Sequence, residues 1–321
     1  MSERIFITGG TGFIGGHLAR KFVNEGHEVC LFDIQPSVKA IRDIVDKVKI
    51  VKGDVSILPE LLTAAREFEP TWLLHLSTVL IDVCLQRPML AYRTNFDGII
   101  NSYETSRLLD VKKVFFASSE GVFAEDAKEP VDDDAPKYPR DPYATSKLFG
   151  ENWGWFYVNA HGMDIRGVRP TWVWGPGRVR GSSLFTSLMV SNSYFGRESE
   201  APELMGNWIY IEDLCDAVKV VLNAKEAPSR FYLVTGENHT TVEFAAMVKK
   251  RFPAAKIVIK KVDPNSFYAK WPGRKHGTFI TKELDWKARF TTEAGIDDFI
   301  EKLRATPDMY DTLIRESGAL P

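Results

Sequence analysis

RIFITGGTGFIG, running from Arg4 to Gly15, is the stretch that decides the fold. Five strand-forming residues lead directly into a turn with glycines at positions 9, 12 and 15, and an amphipathic pattern follows to about Glu25. Glycine at these positions permits a tight turn, close approach of the backbone to a pyrophosphate and close packing of a helix on a sheet. The N-terminus of such a helix also favours a phosphate. The sequence therefore predicts a strand, a dinucleotide-binding turn and a helix.

The alternation of short and long segments continues beyond this turn. Short β-branched or aromatic runs alternate with longer amphipathic segments as far as about residue 170, a pattern typical of a parallel sheet with crossover helices. The predicted strands cover residues 4–8, 28–33, 49–52, 72–76, 113–118 and 164–169. Six parallel strands predict an α/β protein with a doubly wound sheet. Later segments at 184–195, 231–234, 241–251 and 256–260 predict a smaller C-terminal α/β region.

Composition narrows the class of protein. The chain has 321 residues, a formal charge of -2 and dispersed basic residues, so no field would recruit nucleic acid or an anionic membrane. The most apolar stretch, residues 71–85, is interrupted by His75 and Asp82, and no export signal is visible. Cys30, Cys84 and Cys215 are odd in number and lack metal-ligand spacing. We expect a soluble cytoplasmic protein with buried free thiols, no metal and a small-molecule ligand.

Asp33 closes the second predicted strand and bears on the choice of cofactor. A carboxylate there would accept hydrogen bonds from the adenosine ribose 2'-hydroxyl and repel a 2'-phosphate, and the following Ile34-Gln35 offers no arginine for that phosphate. This favours NAD over NADP. The alternative is that Asp33 merely caps the next loop. Asp54, after the third strand, is either an adenine contact or an ordinary loop residue.

Tyr143 and Lys147 are spaced four residues apart, so a helix would place their side chains side by side. The preceding Asp141-Pro142 predicts an N-cap followed by proline at the first helical position. Bringing a phenol from its usual pKa near 10 to about 7 requires roughly 4 kcal/mol of preferential phenolate stabilisation. Lys147, the helix end and a cationic cofactor could supply it together. The spacing also arises by chance among ten tyrosines, so its meaning depends on the rest of the chain.

Two further features have structural interpretations. The acidic run Asp132-Asp133-Asp134, with prolines nearby, predicts a solvated loop and not a metal site. His75 is expected to point inward from its strand with both ring nitrogens satisfied.

Several short motifs occur in one order along the chain. They are Thr8 to Gly15, Gly53-Asp54-Val55, Asn95-Phe96-Asp97-Gly98, Ser118-Ser119 before Val122-Phe123, Tyr143-x-x-x-Lys147, and Arg169-Pro170 with Val173-x-Gly175-Pro176. Together they resemble the extended short-chain dehydrogenase/reductases of the NAD-dependent epimerase/dehydratase family, over most of the chain. The resemblance implies a Rossmann-type, NAD-binding domain with the catalytic residues over 1–170. It implies a mainly substrate-binding region over 171–321, some segments of which return to the first domain. It also implies a homodimer joined by helices at about 90–109 and 143–160.

The resemblance assigns roles to individual residues. Tyr143 would be the general base or acid, Lys147 would lower its pKa and hold the nicotinamide ribose, and Ser119 would orient the substrate oxygen. Hydride removal from a secondary alcohol does need a proton acceptor within hydrogen-bond reach and a positioned nicotinamide. The implied cofactor residues are Gly9, Gly12, Phe13, Ile14, Gly15, Asp33, Ile34, Asp54, Val55, Leu76, Ser77, Thr78, Asn95, Tyr143, Lys147, Pro170 and Val173.

Departures from the family pattern bear on the substrate. Dehydratases carry Asp-Glu after the active-site hydroxyl, whereas this chain has Glu120-Gly121, so 4,6-dehydration is not expected. Trp172 stands where nucleotide-sugar enzymes have Asn, Gly206 stands where they have a diphosphate-binding Arg, and Arg274 is off register for a second one. Each charged hydrogen bond to a diphosphate contributes about 1.5–3 kcal/mol, so these losses weaken a nucleotide-sugar complex unless they are replaced.

The predicted substrate residues combine the catalytic group with replacements for these contacts. They are Ser119, Glu120, Tyr143, Trp172, Arg178 and Arg180. The other aromatic residues of the C-terminal region are expected to be mostly core; they are Trp174, Phe185, Tyr194, Trp208, Tyr268 and Trp271.

Three functional hypotheses remain. The first is an NAD-dependent oxidoreductase acting at a secondary alcohol or ketone of a small, polyhydroxylated, non-nucleotide substrate. The second is a UDP-sugar 4-epimerase that keeps NAD tightly bound and forms a transient 4-keto sugar. The third is an NAD-sensing protein without chemistry, which the intact Ser119, Tyr143 and Lys147 argue against.

Overall fold

The computed structural model describes residues 2–263 and 271–316, and the chain divides into two compact units. The first unit comprises the chain up to Val122 together with Lys137–Arg169 and Cys215–Tyr232. The second comprises Phe123–Pro136, Pro170–Leu214 and the chain from Leu233 onward. The chain therefore passes between the units several times.

The main sheet has seven strands. Their bounds are β1 Arg4–Thr8, β2 Glu28–Asp33, β3 Lys49–Lys52, β4 Trp72–His75, β5 Lys113–Ala117, β6 Ile165–Pro170 and β10 Phe231–Val234. The strand order is β10-β6-β5-β4-β1-β2-β3, and β1 to β6 pair in parallel. This order confirms the predicted doubly wound α/β sheet.

The seventh strand adds to the six that the sequence predicts for this sheet. Residues 231–234 are predicted within the C-terminal region, some segments of which are expected to return to the first domain. All four residues of β10 are buried, and the strand lies next to β6. Gly167 of β6 makes room for it, since a Cβ at that position would lie 2.8 Å from the Phe231 ring. A short apolar run can belong to either region until its neighbours are known, so the sequence alone left this choice open.

Parallel pairing brings the carboxyl ends of the central strands to one edge of the sheet. Thr8, at the end of β1, is in register with Phe32 on one side and His75 on the other. Beneath this edge a buried core includes Phe6, Phe32 and Phe116. The residues that follow β1, β2, β4 and β5 are therefore held at a common edge, which is where open α/β sheets bind ligands.

Helices and shorter turns complete the first unit. The helices are α1 Phe13–Asn24, α2 Leu58–Phe68, α3 Ile81–Gln86, α4 Pro88–Ala91, α5 Gly98–Leu108, α6 Pro142–His161, and α8 Ile211–Asn223 from Cys215 onward. A π-helical segment, Tyr92–Asp97, joins α4 to α5, and 3-10 turns cover Lys39–Ile41, Val45–Lys47 and Glu120–Val122. Gly162 ends α6 with a left-handed φ of 66°.

The second unit contains two small sheets and five complete helices among the residues that the structure describes. Its strands are β7 Trp172–Trp174, β8 Ser199–Glu203, β9 Met205–Tyr210, β11 Glu237–Thr240 and β12 Ile257–Lys261. One sheet has the order β11-β9-β7, and the other pairs β12 with β8. The helices are α7 Leu184–Tyr194, α9 Thr241–Arg251, α10 Phe279–Leu284, α11 Thr292–Ala305 and α12 Pro307–Glu316. Tyr268 lies outside the described residues.

The acidic run at 132–134 is not the fully solvated loop that the sequence predicted. Asp132 and Asp134 are exposed, but Asp133 is buried. Its carboxylate accepts hydrogen bonds from the backbone N–H groups of Leu233 (2.9 Å), Thr278 (2.7 Å) and Phe279 (3.1 Å). Backbone donors that are far away in sequence pair with this buried carboxylate, so a local sequence pattern could not predict its burial.

Candidate active site

The glycine turn after β1 has the geometry of an anion site. Gly9 has a φ of 65°, which a side chain would strain, and a Cβ on Gly15 would lie 2.6 Å from the Gly9 carbonyl oxygen. Helix α1 begins at Phe13 with Gly12 as its N-cap, and within the described chain no side chain caps this end and no acidic residue lies in its first turn. A helix N-terminus without an acidic side chain favours an anion, and this one suits a pyrophosphate.

Asp33 lies beside this turn at the end of β2. One carboxylate oxygen accepts hydrogen bonds from the Thr11 hydroxyl (2.8 Å) and N–H (3.3 Å), and the other accepts one from the Gln35 N–H (3.2 Å). Asp33 therefore does cap its loop, as the alternative interpretation held. Because a carboxylate can accept about four hydrogen bonds, acceptor capacity remains for a ribose hydroxyl. Ile34, next along the chain, is exposed.

The loop after β4 runs close against the glycine turn. Thr8 holds it, since its hydroxyl oxygen accepts hydrogen bonds from the N–H groups of Leu76 (3.2 Å) and Ser77 (3.3 Å). A Cβ on Gly9 would lie 2.9 Å from the Ser77 nitrogen. Leu76, Ser77 and Thr78 are each half-buried, and they lie where the resemblance places cofactor contacts.

Asn95, an implied cofactor residue, is buried and engaged with this same loop. Its side-chain oxygen accepts a hydrogen bond from the Val79 N–H (2.7 Å), and its amide group donates one to the Val79 carbonyl (3.0 Å). Asn95 lies in the π-helical segment, and such segments often occur at functional sites. The bonds show Asn95 fixing the loop after β4, and a direct contact with the cofactor stays a prediction.

Asp54 and Val55 follow β3. The Asp54 carboxylate accepts a hydrogen bond from the Ser56 N–H (2.8 Å), and the Asp54 N–H donates to Glu60 (2.8 Å). Val55 is buried, and its side chain lies 2.9 Å from where a Cβ on Gly98 would be. Asp54 thus organises the start of α2, and an adenine contact stays a prediction.

His75 points inward as predicted, but only one of its ring nitrogens is satisfied. Nδ1 lies 3.0 Å from the Thr8 hydroxyl oxygen and 2.8 Å from that of Ser102. Nε2 has no hydrogen-bond partner among the described residues. Burial, with a smaller contribution from the charge of Lys147, lowers the pKa of His75 to about 3. The ring is neutral at physiological pH and does not act as a base exchanging protons with solvent.

The Tyr143/Lys147 pair sits at the start of α6 as predicted. Asp141 caps the helix, its carboxylate accepting a hydrogen bond from the Ala144 N–H (2.9 Å), and Pro142 is the first helical residue. The Lys147 ammonium lies 5.4 Å from the centre of the Tyr143 ring and donates a hydrogen bond to the Ala117 carbonyl (2.9 Å). Burial lowers the pKa of Lys147 to about 7, so the side chain can gain or lose a proton near neutrality.

Ser119 lies beside the first turn of α6. Its hydroxyl oxygen accepts a hydrogen bond from the Gly121 N–H (3.1 Å). A Cβ on Gly121 would lie 3.3 Å from that oxygen and equally 3.3 Å from the Cβ of Ala144. Gly121 has no side chain, and it therefore lets the Ser119 hydroxyl lie close to Ala144, the residue after Tyr143. Glu120 is buried in the same 3-10 turn.

The remaining predicted residues lie in the second unit. Trp172 is half-buried, with its ring centre 4.8 Å from that of Trp208 and 6.1 Å from that of Phe185. Arg178 donates a hydrogen bond to the Val173 carbonyl (2.5 Å). The other residues of this set vary in exposure: Pro170 is half-buried, Val173 is buried and Arg180 is exposed.

The sequence patterns did not indicate a buried ionic group that adjoins the predicted catalytic residues. Glu151, one turn after Lys147, accepts hydrogen bonds from Arg169 and from the hydroxyl of Ser118. Spacing could have suggested it, because a glutamate four residues after Lys147 lies on the same helical face. Polar residues on a helix are usually solvated, so no local signal marked Glu151 as buried.

The described residues contain neither a metal-binding cluster nor a membrane-spanning helix. No group of three or more His, Cys, Asp or Glu side chains in them is arranged to hold a metal ion. No helix in this part of the chain has the length and apolar content needed to cross a membrane. The three cysteines are buried and free, as predicted.

Known proteins resemble the chain over most of its length. A UDP-glucose 4-epimerase of Mycolicibacterium smegmatis is 27% identical over 254 residues, covering 75% of this chain and 80% of that protein. The NAD complex of a Thermus thermophilus UDP-glucose 4-epimerase has a TM-score of 0.82 at 23% identity, covering 94% of this chain and 99% of that chain. An L-threonine dehydrogenase from Cupriavidus necator, in its holo form, has a TM-score of 0.85 at 20% identity, with the same coverage of 94% and 99%.

The two structures show a shared fold at low identity. The match that decides the family is to the NAD dependent epimerase/dehydratase family, and it extends over residues 5–234. It takes in Ser119, Tyr143, Lys147 and the glycine turn, where the helix N-terminus suits a dinucleotide pyrophosphate. The protein is therefore an enzyme with NAD as its cofactor, and the chain belongs to the NAD dependent epimerase/dehydratase family.

Proposed function

We propose that this enzyme transfers hydride at a secondary alcohol or ketone of a small, polyhydroxylated, non-nucleotide substrate, with Tyr143 as the general base or acid. The observation that carries the proposal is the position of Tyr143, in the first turn of α6 with the Lys147 ammonium 5.4 Å from its ring centre. Ser119 adjoins the same turn across Gly121.

The proposed roles follow from this arrangement. In oxidation, Ser119 holds the alcohol oxygen and Tyr143 accepts its proton, while the C–H electron pair leaves with the hydride. Bound NAD supplies the acceptor for that hydride. In reduction, Tyr143 returns the proton to the carbonyl oxygen.

Lys147 would act on this step through its charge. Burial lowers its pKa to about 7, and a neighbouring anion favours the charged form of a lysine. A phenolate at Tyr143 and an ammonium at Lys147 therefore stabilise one another. We propose that deprotonation of Tyr143 and full protonation of Lys147 occur together.

Residues of the second unit argue against a nucleotide sugar as the substrate. A Cβ on Gly206 would lie 2.4 Å from the Trp208 indole, so that ring occupies the space an arginine at 206 would need. Trp208 in turn packs on Trp172, the residue that replaces the expected Asn. Two of the similar structures are L-threonine dehydrogenases. L-threonine is a small secondary alcohol without a nucleotide, which supports a non-nucleotide substrate here.

A UDP-sugar 4-epimerase is the second candidate. The named relative from Mycolicibacterium smegmatis is a UDP-glucose 4-epimerase at 27% identity, which favours this activity. It would use the same Ser119, Tyr143 and Lys147, with NAD regenerated in each turnover.

The experiment that separates these candidates is a turnover assay with NAD and a panel of sorbitol, myo-inositol, gluconate and UDP-glucose. Net formation of NADH from a polyol or sugar acid supports the dehydrogenase. Conversion of UDP-glucose to UDP-galactose without net NADH would replace it with the epimerase. Tyr143→Phe should abolish either activity while leaving NAD affinity within a few-fold; full activity in this variant would refute the assignment of the base.

We further propose that the enzyme works as a homodimer. Rings form a continuous ladder over the π-helical segment and α6, with centres 5.0–5.7 Å apart from Tyr92 through Phe96, Phe149 and Trp153 to Phe156. Tyr92 and Phe156 are about half exposed, at 52% and 49%. An aromatic strip with exposed rings at both ends is typical of a protein interface. The free, buried thiols support a reducing compartment, and we place the enzyme in the cytoplasm.

A further inference from the structure

Glu151, Arg169 and Ser118 form one buried hydrogen-bonded group in the first unit. The Arg169 guanidinium donates two hydrogen bonds of 2.7 Å, one to each oxygen of the Glu151 carboxylate. The Ser118 hydroxyl donates to one of those oxygens at 2.5 Å. The side chains of Glu151 and Arg169 are only 3% and 8% exposed.

The group joins α6, which carries Tyr143 and Lys147, to the end of β5, which precedes Ser119, and to β6. Glu151 belongs to α6, one turn beyond Lys147. Ser118 follows β5 and immediately precedes Ser119, while Arg169 lies near the end of β6. The Lys147 bond to the Ala117 carbonyl joins α6 to β5 one residue earlier. Two successive residues of the β5 end are thus fastened to α6.

A buried ion pair is a costly way to join these elements if stability is its only purpose. Desolvation of both charges offsets much of their attraction, and apolar replacements of similar volume are often as stable. What an ionic fork provides is direction, since two parallel hydrogen bonds fix the carboxylate in one orientation. That orientation determines where the Ser118 hydroxyl sits.

We propose that Glu151 and Arg169 are positioning residues, which hold Ser118 and thereby set Ser119 against Tyr143. The proposal rests on the catalytic roles given above. In addition, the opposite charges of Glu151 and Arg169 offset each other, so that Lys147 is the cation that acts on the Tyr143 phenol. Glu151 also faces Tyr103 of α5, which donates its hydroxyl hydrogen to the Gly150 carbonyl (2.9 Å). Burial and the charge of Glu151 raise the pKa of Tyr103 well above its usual value, so Tyr103 stays neutral.

The positional part of the proposal is tested with Ser118→Ala, which removes the link and leaves the ion pair. In crystals of the NAD complex, the Ser119 hydroxyl oxygen should move relative to the Tyr143 oxygen by about 0.5 Å or more, or adopt several rotamers, a displacement of the size that impairs a catalytic site. Ser106→Ala is the matched control, because Ser106 is also a buried serine, bonded to the Ser102 carbonyl in α5. An unchanged Ser119 in Ser118→Ala would overturn the positioning role.

The electrostatic part is tested without a substrate, by ultraviolet titration of the Tyr143 phenolate in the NAD complex against Tyr143→Phe as baseline. Glu151→Gln removes the negative charge that faces Arg169, so the phenolate pKa should fall by about one unit. The double variant Glu151→Gln/Arg169→Gln removes both charges and should return the pKa to the wild-type value. A pKa unchanged in Glu151→Gln, or still shifted in the double variant, would overturn the balance of charge.

The two proposals fail in different ways. If Tyr143→Phe keeps full activity, the proposed catalytic base is wrong, whatever the Glu151 variants do. If Tyr143→Phe abolishes turnover while Ser118→Ala and Glu151→Gln leave both Ser119 and the phenolate pKa unchanged, only the positioning role falls.

Discussion

The Lys147 ammonium and the Ala117 carbonyl oxygen are 2.9 Å apart and hydrogen-bonded, inside the first unit. This bond joins the helix that carries Tyr143 to the strand that ends just before Ser118-Ser119. Burial lowers the pKa of Lys147 to about 7, so one neutral carbonyl stabilises a cation that water no longer surrounds. The protein thus keeps in its interior a lysine whose pKa lies near neutrality.

Lys147 should make the stability of the free enzyme depend on pH. In the unfolded chain lysine stays protonated up to its ordinary pKa of 10.5, whereas the buried side chain releases its proton near 7. Between these values the unfolded state binds more protons, so this residue's contribution to the unfolding free energy rises with pH, by up to about 1.4 kcal/mol per unit. Below about pH 7 both states are charged and the contribution is constant.

Urea unfolding of the wild type and Lys147→Met at pH 6.0–8.5 measures this contribution, since the difference between the two proteins cancels other titrating groups. The unfolding free energy of the wild type should rise relative to that of Lys147→Met as the pH increases above about 7. A difference that does not vary over this range would show that Lys147 keeps an ordinary pKa.

Asp33→Ala should narrow the preference for NAD over NADP. The carboxylate that would bind the ribose 2'-hydroxyl and repel a 2'-phosphate is removed, along with its hydrogen bonds to Thr11 and Gln35. The Kd for NADP divided by the Kd for NAD, both measured by calorimetry, should fall about tenfold or more, since a charged hydrogen bond contributes about 1.5–3 kcal/mol. Asp43→Ala is a suitable control, because Asp43 pairs with Arg20. An unchanged ratio in Asp33→Ala would place the ribose elsewhere.

Much of the first unit could be predicted from sequence because its signals are local. The glycine turn, the helix start at Asp141-Pro142 and the strand ends each depend on neighbours within a few residues. Bonds between distant segments could not be predicted. Asp133 meets backbone donors 100 or more positions away, and Asn95 holds Val79 sixteen positions back.

The same distinction between local and distant contacts applies to the candidate site. Tyr143 and Lys147 are four residues apart and a helix brings them together, so their relation was visible in the sequence. The link from Glu151 to Ser118 spans 33 positions, and only the docking of α6 on β5 creates it. Predicted substrate residues such as Arg180 lie on irregular segments, where no period or spacing fixes the direction of a side chain.

Asp133→Ala should destabilise the second unit strongly. It leaves the N–H groups of Leu233, Thr278 and Phe279 without their acceptor, and each buried donor left unpaired costs about 1–3 kcal/mol. We expect a loss of about 3 kcal/mol or more in the free energy of unfolding, measured by urea denaturation. Asp134→Ala, at an exposed neighbour, should stay within about 0.5 kcal/mol of wild type. Equal effects of the two substitutions would contradict the role given to Asp133.

Charging the aromatic ladder should separate the proposed dimer. Phe156 lies at one end of the ladder. Met89, 66% exposed on α4, lies three positions before Tyr92, the residue at the other end. A carboxylate buried without a partner in an interface is strongly unfavourable. Met89→Glu/Phe156→Glu should therefore be monomeric in sedimentation velocity at micromolar concentration, where the wild type is dimeric. Tyr138→Glu is the control: Tyr138 is equally exposed, at 67%, but precedes α6 and is not part of the ladder. Should the double variant remain dimeric, or the wild type sediment as a monomer, the ladder is not the interface, and its exposed rings would need another partner to cover them.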